Sequence, residues 1–123
     1  MMYKLVRTFR KKMNLAMAAT PTLLQSADVS YFSRFMLEEL SEFMRANERE
    51  SIVDAADALA DLVYVAMGCA HAMGLPFEEI FEAVHHANMQ KQIADNEKHV
   101  IKPEGWHPPE PAIEKLINTA KGL

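Results

Sequence analysis

The stretch from Ile52 to Cys69, IVDAADALADLVYVAMGC, constrains this chain more than any other. It has the length and the Ala, Leu and Val content of a helix, and its only charged residues are Asp54, Asp57 and Asp61. At about 100° per residue the three acids fall within about 60° of one another, and Tyr64 and Gly68 continue the same stripe. Every other face is apolar, and a helix of that kind belongs in a core. Three carboxylates on one stripe repel in surroundings that cannot solvate them, so either they are protonated or a cation holds them. A solvent-facing polar edge is the competing explanation. Such an edge normally mixes its residue types, however, and this helix carries no Lys, Arg, Glu, Gln or Asn.

A length of 123 residues fits one domain, taken as residues 1–123. Half of the residues are hydrophobic, nine are Met and only four are Gly, which favours an all-α protein. The net charge of −4 carries no basic footprint for nucleic acid. The single Cys69 excludes an internal disulfide and reads as a small core residue. The basic start MMYKLVRTFRKK is followed only by MNLAMAA, too weak a run for a signal peptide. The longest uncharged run, Leu62 to Phe77, is broken by His71, Gly74 and Pro76 and makes no membrane span. The expected location is the cytoplasm.

Along the chain, Leu5, Val6 and Phe9 at helical spacing predict a short amphipathic helix from Tyr3 to about Lys12, packed on the outside of something larger. Residues 14–27 read as a loop over the bundle. Asp28 or Ser30 is expected to cap a second helix running to about Asn47, and NERES is the turn into the central helix, giving an antiparallel hairpin. Gly74 ends the central helix. Pro76, Glu78 and Glu79 open a fourth, expected to reach about Gln92. The stretch ADNEKHVIKPEGWHPPE is polar and proline-rich, and a last short helix begins near Pro111.

The second helix, YFSRFMLEELSEFMRA, carries another acidic band. Around Glu39, Phe35 and Phe43 lie about 40° to either side and Phe32 about 20° away, so a carboxylate sits in the middle of an aromatic stripe. Glu42 and Glu38 follow on one flank, at about 60° and 100°. Pairing with basic residues at i,i+4, as Arg34 offers Glu38, is the ordinary explanation of such a band. It does not account for Glu39, whose neighbours at those spacings are Phe35 and Phe43. Two antiparallel helices with acidic stripes place four or five carboxylates around one cavity, the way metal sites in bundles are built. Oxygen ligands alone favour a hard ion, Mg²⁺ first and Mn²⁺ next, and such a site suits a polyphosphate.

These residues resemble the all-α nucleoside triphosphate pyrophosphohydrolases, which include the MazG-type and phosphoribosyl-ATP pyrophosphohydrolase-like enzymes. Their hallmark is EExxE on one helix and ExxD on the next. Here Glu38-Glu39-Leu40-Ser41-Glu42 is followed by DALADLVYVAMG, and NMQK at Asn88 to Lys91 and IKPEGWHPPE resemble the phosphoribosyl-ATP branch. One position departs: with Asp61 as the final acid, the Glu expected three residues earlier is Ala58. Asp57, at i,i+4 from Asp61, is the natural substitute, with Asp54 in reserve.

The resemblance implies a four-helix-bundle-type fold of about five helices completed by dimerisation, and hydrolysis of a nucleotide between its α and β phosphates. It implies Glu39, Glu42, Asp57 and Asp61 as metal ligands and Glu38 as the group that orients or deprotonates the attacking water. Asn88 and Lys91, at the end of the apolar stripe Phe77, Ile80, Phe81 and Val84, become candidate substrate contacts. Trp106 either stacks on a base or pins the tail. Glu82 and His85 match a di-iron ExxH spacing, but Glu82 points away from the apolar stripe and there is no second copy. His71, His86, His99 and His107 show no ligand spacing. The alternatives to an enzyme are a non-catalytic helical module that binds nucleotide or a partner protein, and a bundle that stores or senses divalent metal.

Overall fold

The computed structural model describes residues 1–93 and 100–123, and its contacts divide the chain into two compact units, Met1–Leu75 and Pro76–Leu123. The start of the polar stretch, residues 94–99, including His99, for which the sequence shows no ligand spacing, lies outside the described residues. Among those described there are five helices: α1 (Met2–Lys12), α2 (Ser26–Glu48), α3 (Ile52–Ala72), α4 (Phe77–Met89) and α5 (Glu110–Ala120). The protein is all-α, and among the described residues it has one two-residue strand pair, β1 (Gln92–Ile93) and β2 (Val100–Ile101), joined antiparallel. No single described helix is long and apolar enough to cross a membrane.

In the first unit α2 and α3 form the expected antiparallel hairpin, and α1 packs on α3. Small side chains let the hairpin close: Ala46, Ala55 and Ala58 are all buried. The turn is set by Glu50, held at φ 57°, and by Ser51, whose Oγ accepts a hydrogen bond from the Asp54 amide at 3.2 Å. That cap starts α3 and leaves Asp54 in the first turn, where a negative charge suits the helix dipole. At the other end Gly74 stands at φ 67°, and a Cβ there would lie 2.7 Å from the Thr20 carbonyl oxygen and 2.8 Å from that of Ala18. Only glycine fits this close passage of the 14–25 segment, which is tied to the end of α3 by Ala18 N–H to Ala72 O (3.3 Å) and Thr22 N–H to Met73 O (2.9 Å).

Four expectations are corrected. The second helix starts at Ser26 with Gln25 as its flanking residue, so neither Asp28 nor Ser30 is the cap; Asp28 lies in the first turn. The fourth helix stops at Met89, because the chain turns into β1 there. On α1 the buried residues are Val6 and Arg10, while Leu5 is 65% exposed. Finally, α3 is not enclosed: Ile52, Val53, Leu59 and Val63 are exposed, as are Asp54, Asp57 and Asp61. Only α1 and α2 cover it substantially within the unit, and two helices cannot surround a third.

Tyr3 locks α1 to the end of α3. Its ring stacks on His71 at 3.6 Å and its hydroxyl donates to the Leu75 carbonyl at 2.8 Å, while His71 Nε2 meets the Tyr3 carbonyl at 2.8 Å. Burial holds the His71 pKa below its ordinary value, so the ring sits there neutral and donates through Nε2–H. Burial also pushes the Cys69 thiol up, as befits a packing residue.

In the second unit α4 packs against α5. The Trp106 indole N–H donates to the Ala87 carbonyl at 2.7 Å, satisfying an acceptor in the last turn of α4.

Candidate active site

Glu39 and Asp61, one from each arm of the α2–α3 hairpin, line a single cavity of about 410 Å³. Phe32 and Phe35 line it beside Glu39, and Tyr64 and Gly68 beside Asp61, so both stripes seen in the sequence meet there. Glu39 is half-buried among these groups, whereas Glu38 and Glu42 are exposed on the flank. Its carboxyl is held above the ordinary value, first by loss of hydration and then by repulsion from Asp61, Asp57, Glu42 and Glu38 in that order. The acids of both helices therefore act electrostatically on one carboxyl group.

The side chains do not form the closed cage that the sequence suggests. Among the described residues no three His, Cys, Asp or Glu side chains stand close enough together to hold one ion. Electrostatics gives the reason. Like charges move apart, and two of the acids have basic partners: Glu42 takes a hydrogen bond from Arg45 at 2.7 Å and Asp54 one from Arg49 at 3.4 Å. The Arg45 hydrogen bond and charge hold the Glu42 carboxyl below its ordinary value. The i,i+4 pair expected between Arg34 and Glu38 is not formed among the described residues; Arg45 makes its pair with Glu42 instead, at i,i+3. Both pairs are well exposed and contribute little to stability. Neither pair involves Glu39 or Asp61.

Ala58, where the resemblance expects Glu, is buried. Asp57, one residue earlier, is exposed and is the second-largest charge acting on Glu39. The acid has moved by about 100° around the helix, from a buried position to the rim.

The other expected residues belong to the second unit. Asn88 is exposed in the last turn of α4 and its carbonyl accepts the Lys91 amide at 3.0 Å. Lys91 Nζ lies 5.3 Å from the centre of the Trp106 ring and Lys102 Nζ 5.1 Å from it. The indole N–H is engaged with Ala87, which favours the pinning role for Trp106 and leaves its ring to the two cations. Sequence reasoning missed Lys102, and it missed Arg10, Phe9 and Tyr31 on the wall of the cavity. Arg10 sits in a run of basic residues, where nothing marks which one turns inward.

The model of the phosphoribosyl-ATP pyrophosphohydrolase family matches residues 3–88, well over half of the chain. The chain belongs to that family. Phosphoribosyl-ATP pyrophosphohydrolases form part of the MazG-like all-α nucleoside triphosphate pyrophosphohydrolase superfamily, in agreement with the acidic hairpin and the helical fold. The match takes in α1 from Tyr3 onward and all of α2 and α3, with Glu38, Glu39, Glu42, Asp57 and Asp61. It ends at Asn88, so the likeness read at Lys91 and at IKPEGWHPPE lies beyond it. No curated protein matches the chain. Membership of the phosphoribosyl-ATP pyrophosphohydrolase family makes the protein a pyrophosphohydrolase whose substrate is a nucleotide.

Proposed function

We propose that the protein is a metal-dependent pyrophosphohydrolase that cleaves a nucleoside triphosphate, or a related nucleotide, between its α and β phosphates. The observation that carries this reading is the single wall formed by Glu39 and Asp61, where loss of hydration first, and then the charges of Asp61, Asp57, Glu42 and Glu38, raise the affinity of Glu39 for a proton. The repulsion from the neighbouring acids that favours a proton there favours a cation as well. The donor set is carboxylate oxygen alone, which fits Mg²⁺ best and Mn²⁺ next. Glu39, Glu42, Asp57 and Asp61 would hold the ion after side-chain rotation, since no three of these carboxylates stand together among the described residues and Glu42 would have to leave Arg45. When bound, it supplies charge neutralisation for the phosphate oxygens.

The residues of the chain do the rest. Glu38 takes the proton of the attacking water, whose oxygen forms a bond to the α phosphorus as the bridging oxygen leaves with pyrophosphate. The aromatic wall beside Glu39 excludes competing water. Asn88 and Lys91 are the proposed polar contacts to substrate phosphate or sugar, with the Trp106 ring holding Lys91 in place through its face.

We also infer a homodimer. In the first unit Leu5, Leu37, Met44, Leu59 and Val63 are exposed, more apolar surface than a helix hairpin with one attached helix covers by itself. A second copy of the chain would complete the bundle.

Incubation with a panel of nucleoside triphosphates in Mg²⁺, in Mn²⁺ and in EDTA, followed by a pyrophosphate assay, tests the activity. Release that needs a divalent ion is expected. Release of none from any nucleotide with either ion would refute the reading.

A further inference from the structure

The second unit carries two lysines over one indole. Lys91 Nζ lies 5.3 Å and Lys102 Nζ 5.1 Å from the centre of the Trp106 ring. The strand pair brings them there. Its register sets Gln92 opposite Ile101 and Ile93 opposite Val100, and the next step outward sets Lys91 opposite Lys102, on one face of the ribbon. The ring is fixed in turn: the Trp106 indole N–H donates to the Ala87 carbonyl at 2.7 Å, and the Trp106 amide donates to the Pro103 carbonyl at 3.0 Å.

Like charges directly opposite each other across a strand pair repel. Each ammonium gains only the modest attraction of the ring face, and among the described residues no carboxylate makes an ion pair with either. Lys102 is exposed, and Lys91 and Trp106 are each half-buried, so the pair opens to solvent at Lys102. A guest with at least two negative charges relieves the repulsion. Lysine is a flexible point charge with three donors and no planar fork, which suits the tetrahedral oxygens of phosphate better than a flat carboxylate. Two cations on a chain of net charge −4 are too few to follow a nucleic-acid backbone.

We propose that Lys91 and Lys102, set over Trp106 by the strand register, form a binding site for a phosphate chain, either the polyphosphate group of a nucleotide or free pyrophosphate. Lys102 is the new member of this site. The family match ends at Asn88, so the pair lies beyond the matched residues. The inference rests on the reading of Lys91 as a phosphate contact, and it does not require that cleavage occur.

Trp106 is the only tryptophan of the chain, so its fluorescence reports on this site alone. The test is titration of the full chain in EDTA with pyrophosphate and, separately, with uridine triphosphate, excited at the red edge of the indole band where the nucleotide does not absorb, against potassium chloride at matched ionic strength. Without divalent metal the acidic hairpin repels both phosphates, so the signal does not depend on the hydrolase site. A saturable change in emission is expected with at least one phosphate and none with chloride, and the tighter of the two names the source of the chain. Lys102→Gln should weaken binding roughly tenfold or more, as the loss of one charge-assisted contact does. Lys102→Arg should keep most of it, and Lys115→Gln, at an exposed lysine of α5 outside the pair, should leave it unchanged. No saturable response from wild type, a response that chloride reproduces, or one that Lys102→Gln and Lys115→Gln weaken alike overturns the assignment. A saturable response from a protein that releases no pyrophosphate in Mg²⁺ would keep this site and remove the hydrolase reading. Pyrophosphate release without any such response would remove the site and keep the hydrolase.

Discussion

Replacing Glu39 by Gln keeps the shape of the side chain and removes its charge, so the effect follows from electrostatics. The Glu39 carboxyl is raised above its ordinary 4.5 by loss of hydration, and further by Asp61, Asp57, Glu42 and Glu38. A carboxyl raised on folding binds more protons in the folded than in the unfolded state. Its contribution to stability is therefore fully present below about pH 4.5 and is lost as the pH rises through the raised value. In EDTA at neutral pH, Glu39→Gln escapes that loss and should melt at or above wild type. Divalent metal reverses the order, because binding only to the folded site stabilises by about 2.7 kcal/mol when free ion is a hundred times Kd. At about 2.1 cal/mol/K of unfolding entropy per residue, a chain of 123 residues has about 0.26 kcal/mol/K, so wild type should gain about 10 °C in Tm. The variant should gain a small fraction of this. Calorimetric melts in EDTA across pH, and across a Mg²⁺ series at pH 7, read both effects. A Glu39→Gln protein that melts well below wild type in EDTA and keeps the full Mg²⁺ shift would show a structural hydrogen-bonding acid, and the argument would fail.

Lys91→Ala should raise KM or lower kcat while leaving Mg²⁺ affinity nearly unchanged, since it removes a phosphate contact and no carboxylate; steady-state kinetics beside a metal titration separates the two. Gly74→Ala should cost at least about 2 kcal/mol, or about 8 °C in Tm, because it combines a left-handed backbone with a Cβ inside contact distance of two carbonyl oxygens; an unchanged melt would refute the packing described for the 14–25 segment. Sedimentation equilibrium should give twice the 13.9 kDa chain mass, and Leu59→Asp with Val63→Asp should shift it toward the monomer. A wild-type monomer at all concentrations would contradict the dimer.

The parts of this structure legible in the sequence are those fixed by local rules. Helical periodicity revealed α1 to α3, and the stripe through Phe32, Phe35 and Glu39 put a carboxylate on the wall it occupies. Gly74 stopped α3 where a positive φ was needed. What stayed hidden depends on neighbours. The apolar circumference of α3 reads as a core helix, but burial of a face requires another element to cover it, and within this chain Leu59 and Val63 remain open. Arg10 was masked by basic residues on either side, because which of them turns inward is decided by the packing of α1 on α3. The partners of Glu42 and Asp54 were equally invisible: both arginines lie close in sequence, but whether a flexible side chain reaches an acid or solvent is a rotamer choice. The strand pair after α4 has two residues per strand, too few for any alternation to show.

On the function proposed above, the acidic hairpin directs cleavage between the α and β phosphates. Phosphorus NMR of a nucleoside triphosphate incubated with the protein and Mg²⁺ tests it most directly, because every product is seen at once. Nucleoside monophosphate and pyrophosphate are expected to grow in equal amounts, with little diphosphate. Nucleoside diphosphate and orthophosphate as the main products would contradict it.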